Sequence, residues 1–149
     1  MRAVVQRVEK AEILVDGKSV ASIGKGLLVF VGVHENDTPR DGEYLADKIL
    51  PMRIFEDGQG KMNLSLQDVE GDLLLVSQFT LYGDARKGRR PSYSEAMIPE
   101  RAADLYRAFV SLCRERYPRV SSGIFAADMK VHLINDGPVT LLLESSRLF

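Results

Sequence analysis

Apolar and polar positions alternate through residues 3–8 and again through residues 11–15, which predicts two strands. Asp16-Gly17 follows, a pair suited to a hairpin because glycine accepts the positive φ that such turns require. Residues 26–33 run apolar without interruption, as in a strand buried on both faces. Then the period lengthens. Thr38-Pro39 reads as an N-cap with proline at the first helical position, and Tyr44, Leu45, Ile49 and Leu50 recur at helical spacing until Pro51. Residues 52–56 predict a short strand turned back by Asp57-Gly58, and residues 73–81 predict another. After a polar loop from 83 to 90, Pro99 opens the longest helix. Its apolar stripe is Ala102, Leu105, Tyr106, Phe109, Leu112 and Cys113, and it ends near Tyr117-Pro118. Strand patterns resume at 129–134 and 139–143, separated by Asn135-Asp136-Gly137-Pro138. Strands dominate and two helices intervene irregularly, so the expected class is α+β with a largely antiparallel sheet.

Composition adds limits. The chain has 149 residues, the length of one ordinary domain, and neither a repeat nor a linker divides it, so residues 1–149 are expected to form a single domain. With 45% apolar and 28% charged residues the balance is that of a soluble globular protein, not a disordered chain or a disulfide scaffold. The longest apolar run is strand-sized, and Arg2, Arg7, Glu9 and Lys10 break up the first residues. Neither a membrane span nor a signal sequence is expected. A single cysteine, Cys113, makes no internal disulfide, which points to the cytoplasm. Net charge is −1, from 20 basic and 21 acidic side chains, so any affinity for nucleic acid must rest on local clustering.

Conventional catalytic sets are hard to assemble. The two histidines, His34 and His132, lie far apart in sequence. His132 reads as a structural strand residue and His34 as a solvated loop residue. No Cys/His cluster offers the three ligands of a catalytic zinc, and no phosphate-binding glycine motif occurs, so neither metal nor cofactor is expected. Cys113 on the helical stripe reads as a packing thiol. Three segments remain. Ser77-Gln78-Phe79-Thr80 lies where an apolar strand meets a polar loop. It is either a strand running into a turn or a set of hydroxyls, amide and N–H groups able to hold an oxyanion. Asn135-Asp136-Gly137-Pro138-Val139-Thr140 reads as a turn, though Gly-Pro bonds can also be cis. Arg86, Lys87, Arg89 and Arg90 put four cations into five residues, either a solvated loop or a phosphate contact.

Taken together, these segments resemble the D-aminoacyl-tRNA deacylase family. The ordered blocks are Gln6-Arg7-Val8, Arg53-Ile54-Phe55 with Gly60-Lys61-Met62-Asn63, and Ser77-Gln78-Phe79-Thr80. Then come Arg90-Pro91-Ser92-Tyr93, Gly123 with Phe125 and Ala127-Asp128-Met129, and Asn135 through Thr140. The resemblance spans essentially the whole chain and implies a barrel-like core. It also implies a homodimer with active sites at the subunit interface, and hydrolysis of the ester between a D-amino acid and the 3′-terminal adenosine of tRNA. It further implies a cis Gly137-Pro138 peptide inserted into the partner's site. Arg7 would hold that element, and Phe125 and Met129 would lie near the adenosine pocket.

An aminoacyl ester is already activated, so a site without a histidine is chemically reasonable. Backbone N–H groups near Phe79 and Thr80, with Gln78, are the expected oxyanion donors, and water the expected attacker, assisted by the RNA 2′-OH. A covalent role for Thr80 is the competing route, but its motif holds no base. If a Gly-Pro backbone excludes L side chains, then D residues of many kinds, and glycine as glycyl-tRNA, should be accepted. Two other classes compete: a non-catalytic tRNA-binding module, and a small-molecule esterase using Ser77, which lacks a Gly-x-Ser-x-Gly context.

Overall fold

The computed structural model describes residues 1–149. Strand β1 (Arg2–Val15) organises the sheet. At its C-terminal end, Asp16 (φ 49°) and Gly17 (φ 74°) reverse the chain into β2 (Lys18–Ile23), the hairpin that the Asp-Gly pair predicts. β2 and β3 (Gly26–Gly32) pair one after the other with β1, and β8 (Lys130–Glu144) pairs antiparallel along nearly all of it. β3 pairs in parallel with β6 (Asp72–Ser77), which pairs in parallel with β7 (Val120–Ser122). The sheet is antiparallel where β2, β3 and β8 pair with β1 and parallel where β6 joins β3 and β7, and its strand order is β2-β1-β3-β6-β7 with β8 on β1. It curls until β2 approaches β6 and β7, giving a nearly barrel-shaped α+β fold.

The two helices start where proline predicts them. α1 (Pro39–Ile49) begins at Thr38, whose N–H and hydroxyl both donate to the Asp41 carboxylate, at 2.8 and 3.0 Å. α2 (Pro99–Arg116) ends with Arg114 and Arg116 in its last turn, favourable beside the negative end of the helix dipole. The buried side chains of both helices meet Leu27, Val29, Val31, Leu73 and Leu75 in the main core. Leu28, Leu74 and Val76 face the other way, into a smaller core with Val8, Ala11, Ile13 and Ile23. Burial on both faces explains why residues 26–33 lack alternation. Backbones also approach closely here. A Cβ at Gly26 would lie 1.9 Å from the Asp72 carbonyl oxygen, so only glycine fits.

Four predicted boundaries differ. Residues 3–8 and 11–15 form one strand, because β8 stays paired through a register shift beside the exposed Glu9 and Lys10. The strand over 52–56 shrinks to β4 (Phe55–Glu56), paired with β5 (Met62–Leu64). The strand over 73–81 stops at Ser77, and Phe79–Tyr82 form a 3₁₀ turn. The two late strands are a single β8, so Gly137-Pro138 is not a hairpin turn at all.

Candidate active site

β6 delivers Ser77 and Gln78 to one end of the sheet. The Gln78 N–H donates to the Val31 carbonyl at 2.8 Å, so β3 still holds the chain as it leaves the strand. Beside this point lies a cavity of about 640 Å³. Its apolar wall comes from Val31, Val33, Val76, Met97, Ala102 and Tyr106, and Ser77 and Gln78 supply polar groups. The Tyr106 hydroxyl donates to the Leu75 carbonyl at 2.9 Å, and burial pushes its phenol pKa upward. Phe125 lies against Tyr106 (ring centroids 5.9 Å) and, with Met129, lines the same space. At the rim, Phe79 and Tyr93 meet edge to face with centroids 5.1 Å apart, and both rings remain exposed. Such an opening, apolar with a few polar groups on one side, suits a small organic ligand oriented by its polar end.

A second arrangement sits on β8. Gln6 pairs with Thr140 and Val8 with Asn135, so Arg7 alone stands opposite four residues, 136–139, which bulge from the strand. The Asn135 amide donates to the carbonyls of Arg7 and Val139, each at 2.9 Å, and closes the neck. Arg7 is 5% exposed. It donates to the Ile54 carbonyl at 2.8 Å and to the Asp136 carbonyl at 3.2 Å, with the Asp136 carboxylate also 3.2 Å away. The Gly137-Pro138 peptide at the crest is cis and exposed. Gly137 has φ +123°, a glycine conformation, and a Cβ there would lie 2.8 Å from Arg7 Nη2.

Five of the residues singled out in the sequence, Ser77, Gln78, Phe79, Phe125 and Met129, thus line one cavity. Thr80 does not line it. The residue is exposed on the 3₁₀ turn, and its hydroxyl accepts a hydrogen bond from the Gln78 amide. Arg7, Gly137 and Pro138 form the separate bulge and do not line the cavity of their own chain. Tyr106 and Met97 are additions. Tyr106 reads as helical stripe in the sequence, and a hydroxyl on that otherwise apolar stripe was the available signal. His34 is not the solvated loop residue expected: it is half-buried, bridged to Ala96, with its ring 5.2 Å from that of Tyr82. Cys113 is fully buried, and burial pushes its thiol up to about 12, so no thiolate is available for chemistry.

The profile of the D-Tyr-tRNA(Tyr) deacylase family matches residues 4–144. The chain is 58% identical over 149 residues to the D-aminoacyl-tRNA deacylase of Thermotoga petrophila, and 60% identical over 150 residues to that of Thermosipho melanesiensis. All of each chain is covered in both comparisons. Among solved structures, a c-Myc DNA unwinding element binding protein superposes with a TM-score of 0.92 at 41% identity, covering 97% of this chain and 98% of that one. A probable eukaryotic D-amino acid tRNA deacylase shares the fold, with a TM-score of 0.85 at 20% identity over 96% of this chain and 98% of that one. On this match over almost its whole length, the chain belongs to the D-aminoacyl-tRNA deacylase family of ester hydrolases.

Proposed function

We propose that this protein is a cytoplasmic chiral proofreader that frees tRNA from D-amino acids, working as a homodimer in which each chain completes the other's site. The observation that carries this reading is a mismatch within one chain. The Gly137-Pro138 crest is firmly anchored yet exposed, and it lies outside the cavity that its own chain provides. A second copy related by a two-fold axis supplies the crest to the cavity, and receives the same in return.

In this arrangement the terminal adenosine of tRNA occupies the cavity near Phe125 and Met129. Ser77, Gln78 and Phe79 face the ester, and Thr80 contributes its backbone N–H from the turn beside it. Phe79 and Thr80 open the 3₁₀ turn, so their N–H groups have no acceptor within it. Together with the Gln78 amide they stabilise the tetrahedral oxyanion as water attacks, with the substrate's 2′-OH assisting. Carbonyl oxygens of the crest capture the α-ammonium through charge-assisted hydrogen bonds. With amine and ester both fixed, an L side chain runs into the Gly137-Pro138 main chain and a D side chain points away from it. Selection by exclusion is indifferent to the nature of the D side chain. It also lets glycine through, so glycyl-tRNA mischarged on alanine tRNA is hydrolysed as well.

The test is paired hydrolysis of D- and L-tyrosyl-tRNA, with glycyl-tRNA alongside. The expected result is release of D-tyrosine and glycine, and an inert L ester. A tight tRNA complex that releases no amino acid would instead make the chain a binding module. A wild-type protein that stays monomeric at assay concentration while remaining stereoselective would remove the shared-site arrangement.

A further inference from the structure

The basic segment is not an open, featureless loop. Asp84 and Ser92 exchange both backbone hydrogen bonds, at 2.7 and 2.9 Å, and so pinch residues 85–91 into a closed finger. The next residue, Tyr93, is one half of the aromatic pair at the cavity rim, so the finger rises directly from the mouth of the site. Its four cations are not equivalent. Arg86 places its guanidinium on the Asp84 carboxylate at 2.9 and 2.8 Å and is neutralised within the finger. Lys87, Arg89 and Arg90 are exposed, and none of them takes part in an ion pair. In a chain of net charge −1, three free cations next to the cavity make a local exception. Gly88, with φ +84°, sits between Lys87 and Arg89 at the tip.

We infer that the finger made by residues 85–91 is a phosphate clamp: Lys87, Arg89 and Arg90 bind the backbone phosphates of the single-stranded RNA immediately 5′ of the nucleoside in the cavity. This rests on the reading that the cavity seats the terminal nucleoside, and adds how the rest of the RNA is gripped. The strand leaving the cavity must cross the rim formed by Phe79 and Tyr93, and the finger stands there with unpaired positive charge. Its contribution is to binding rather than to bond breaking, since none of the three side chains lines the cavity.

The experiment compares the wild type with the triple variant Lys87→Gln, Arg89→Gln, Arg90→Gln on two substrates, D-tyrosyl-tRNA and D-tyrosyl-adenosine, across a range of NaCl. For the tRNA, KM is expected to rise about 10-fold at low salt with kcat unchanged. The dependence of log KM on log salt should also flatten by about 2, from three single-strand phosphate contacts. D-tyrosyl-adenosine, which has no internucleotide phosphate, should be hydrolysed equally by both proteins. Arg86→Gln should leave the salt slope as it is. Equal salt slopes for wild type and triple variant, with D-tyrosyl-adenosine turned over normally, would overturn the clamp alone. An equal loss on both substrates would also overturn it, since the loop would then be shaping the site. Wild-type protein inert on D-tyrosyl-adenosine but active on the tRNA would remove the cavity reading first, and the clamp with it.

Discussion

The cavity beside β6 and the crest on β8 are both rigid, but they are made so by opposite means. Ser77 and Gln78 end a strand whose Leu73, Leu74, Leu75 and Val76 are buried on both faces, so the hydrophobic core itself fixes where the site begins. The crest has almost no core beneath it. Gly137 and Pro138 are exposed, and their position depends on one buried guanidinium, one asparagine amide and the carbonyls they grip. A concave site can lean on packing because packing surrounds it. A projecting element must carry its own scaffold of directional bonds. The first kind of rigidity is spread over many contacts, and the second is concentrated in two side chains, so single substitutions should separate them.

The largest effect is expected at Arg7. Arg7→Ala removes a buried cation and leaves the Ile54 and Asp136 carbonyls without their donors, which should cost about 3 kcal/mol in urea-induced unfolding. Loss of under 0.5 kcal/mol would mean the crest is held by something else. Next comes Gly137→Ala, whose Cβ needs space occupied by Arg7 Nη2 and Val139 Cγ2 at 2.8 and 2.9 Å, in a backbone conformation that disfavours alanine. A displacement of the crest on the order of 1 Å should lower hydrolysis of D-tyrosyl-tRNA about 10²-fold. Unchanged kinetics on both enantiomers would detach the crest from catalysis. On the cavity side the same kind of deletion should matter less. Tyr106→Phe removes a single buried hydroxyl and its bond to the Leu75 carbonyl, which keeps the Gly123 N–H as a donor, an expected loss of about 1 kcal/mol in the same unfolding assay. A loss matching that of Arg7→Ala would erase the contrast between the two regions.

That contrast also governs what was legible in the sequence. Asp16-Gly17, Thr38-Pro39 and Pro99 act locally, through φ preference and capping, and their elements start where expected. The unbroken apolar character of residues 26–33 likewise gave away a strand buried on both faces, and the apolar run from Leu73 gave away another strand. Register over long distance was not legible. Glu9 and Lys10 look like a break, yet β8 pairs across them, and Asn135 through Pro138 look like a turn between two strands because nothing local says that both flanks pair with β1. Cavity-lining residues at a strand end, Ser77 and Gln78, could be read from the change in polarity. Met97 could not, and Tyr106 offered only its hydroxyl on an apolar stripe, since both reach the cavity through the packing of α2 and the segment before it against the sheet.

Thr80→Ala carries the smallest expected effect and sharpens the comparison most. Thr80 belongs to the cavity's end of the molecule by sequence, but its side chain is exposed on the outer side of the 3₁₀ turn and does not line the cavity. The hydroxyl's one hydrogen-bond donor is the Gln78 amide, and no histidine, lysine or carboxylate bonds to it. A hydroxyl with no base near it is a poor nucleophile, and in the proposed mechanism it only holds the Gln78 amide in place. Removing it should slow kcat on D-tyrosyl-tRNA by less than about 10-fold, the scale of a loosened donor rather than a lost one. An acyl-enzyme route requires a far larger drop, on the order of 10⁶-fold where a covalent nucleophile has been removed from a serine protease. Single-turnover measurements decide between them. A drop of that size, together with a trapped D-tyrosyl ester on the wild-type chain, would move the chemistry from the strand end to the 3₁₀ turn. A small drop leaves it with the backbone donors at the end of β6.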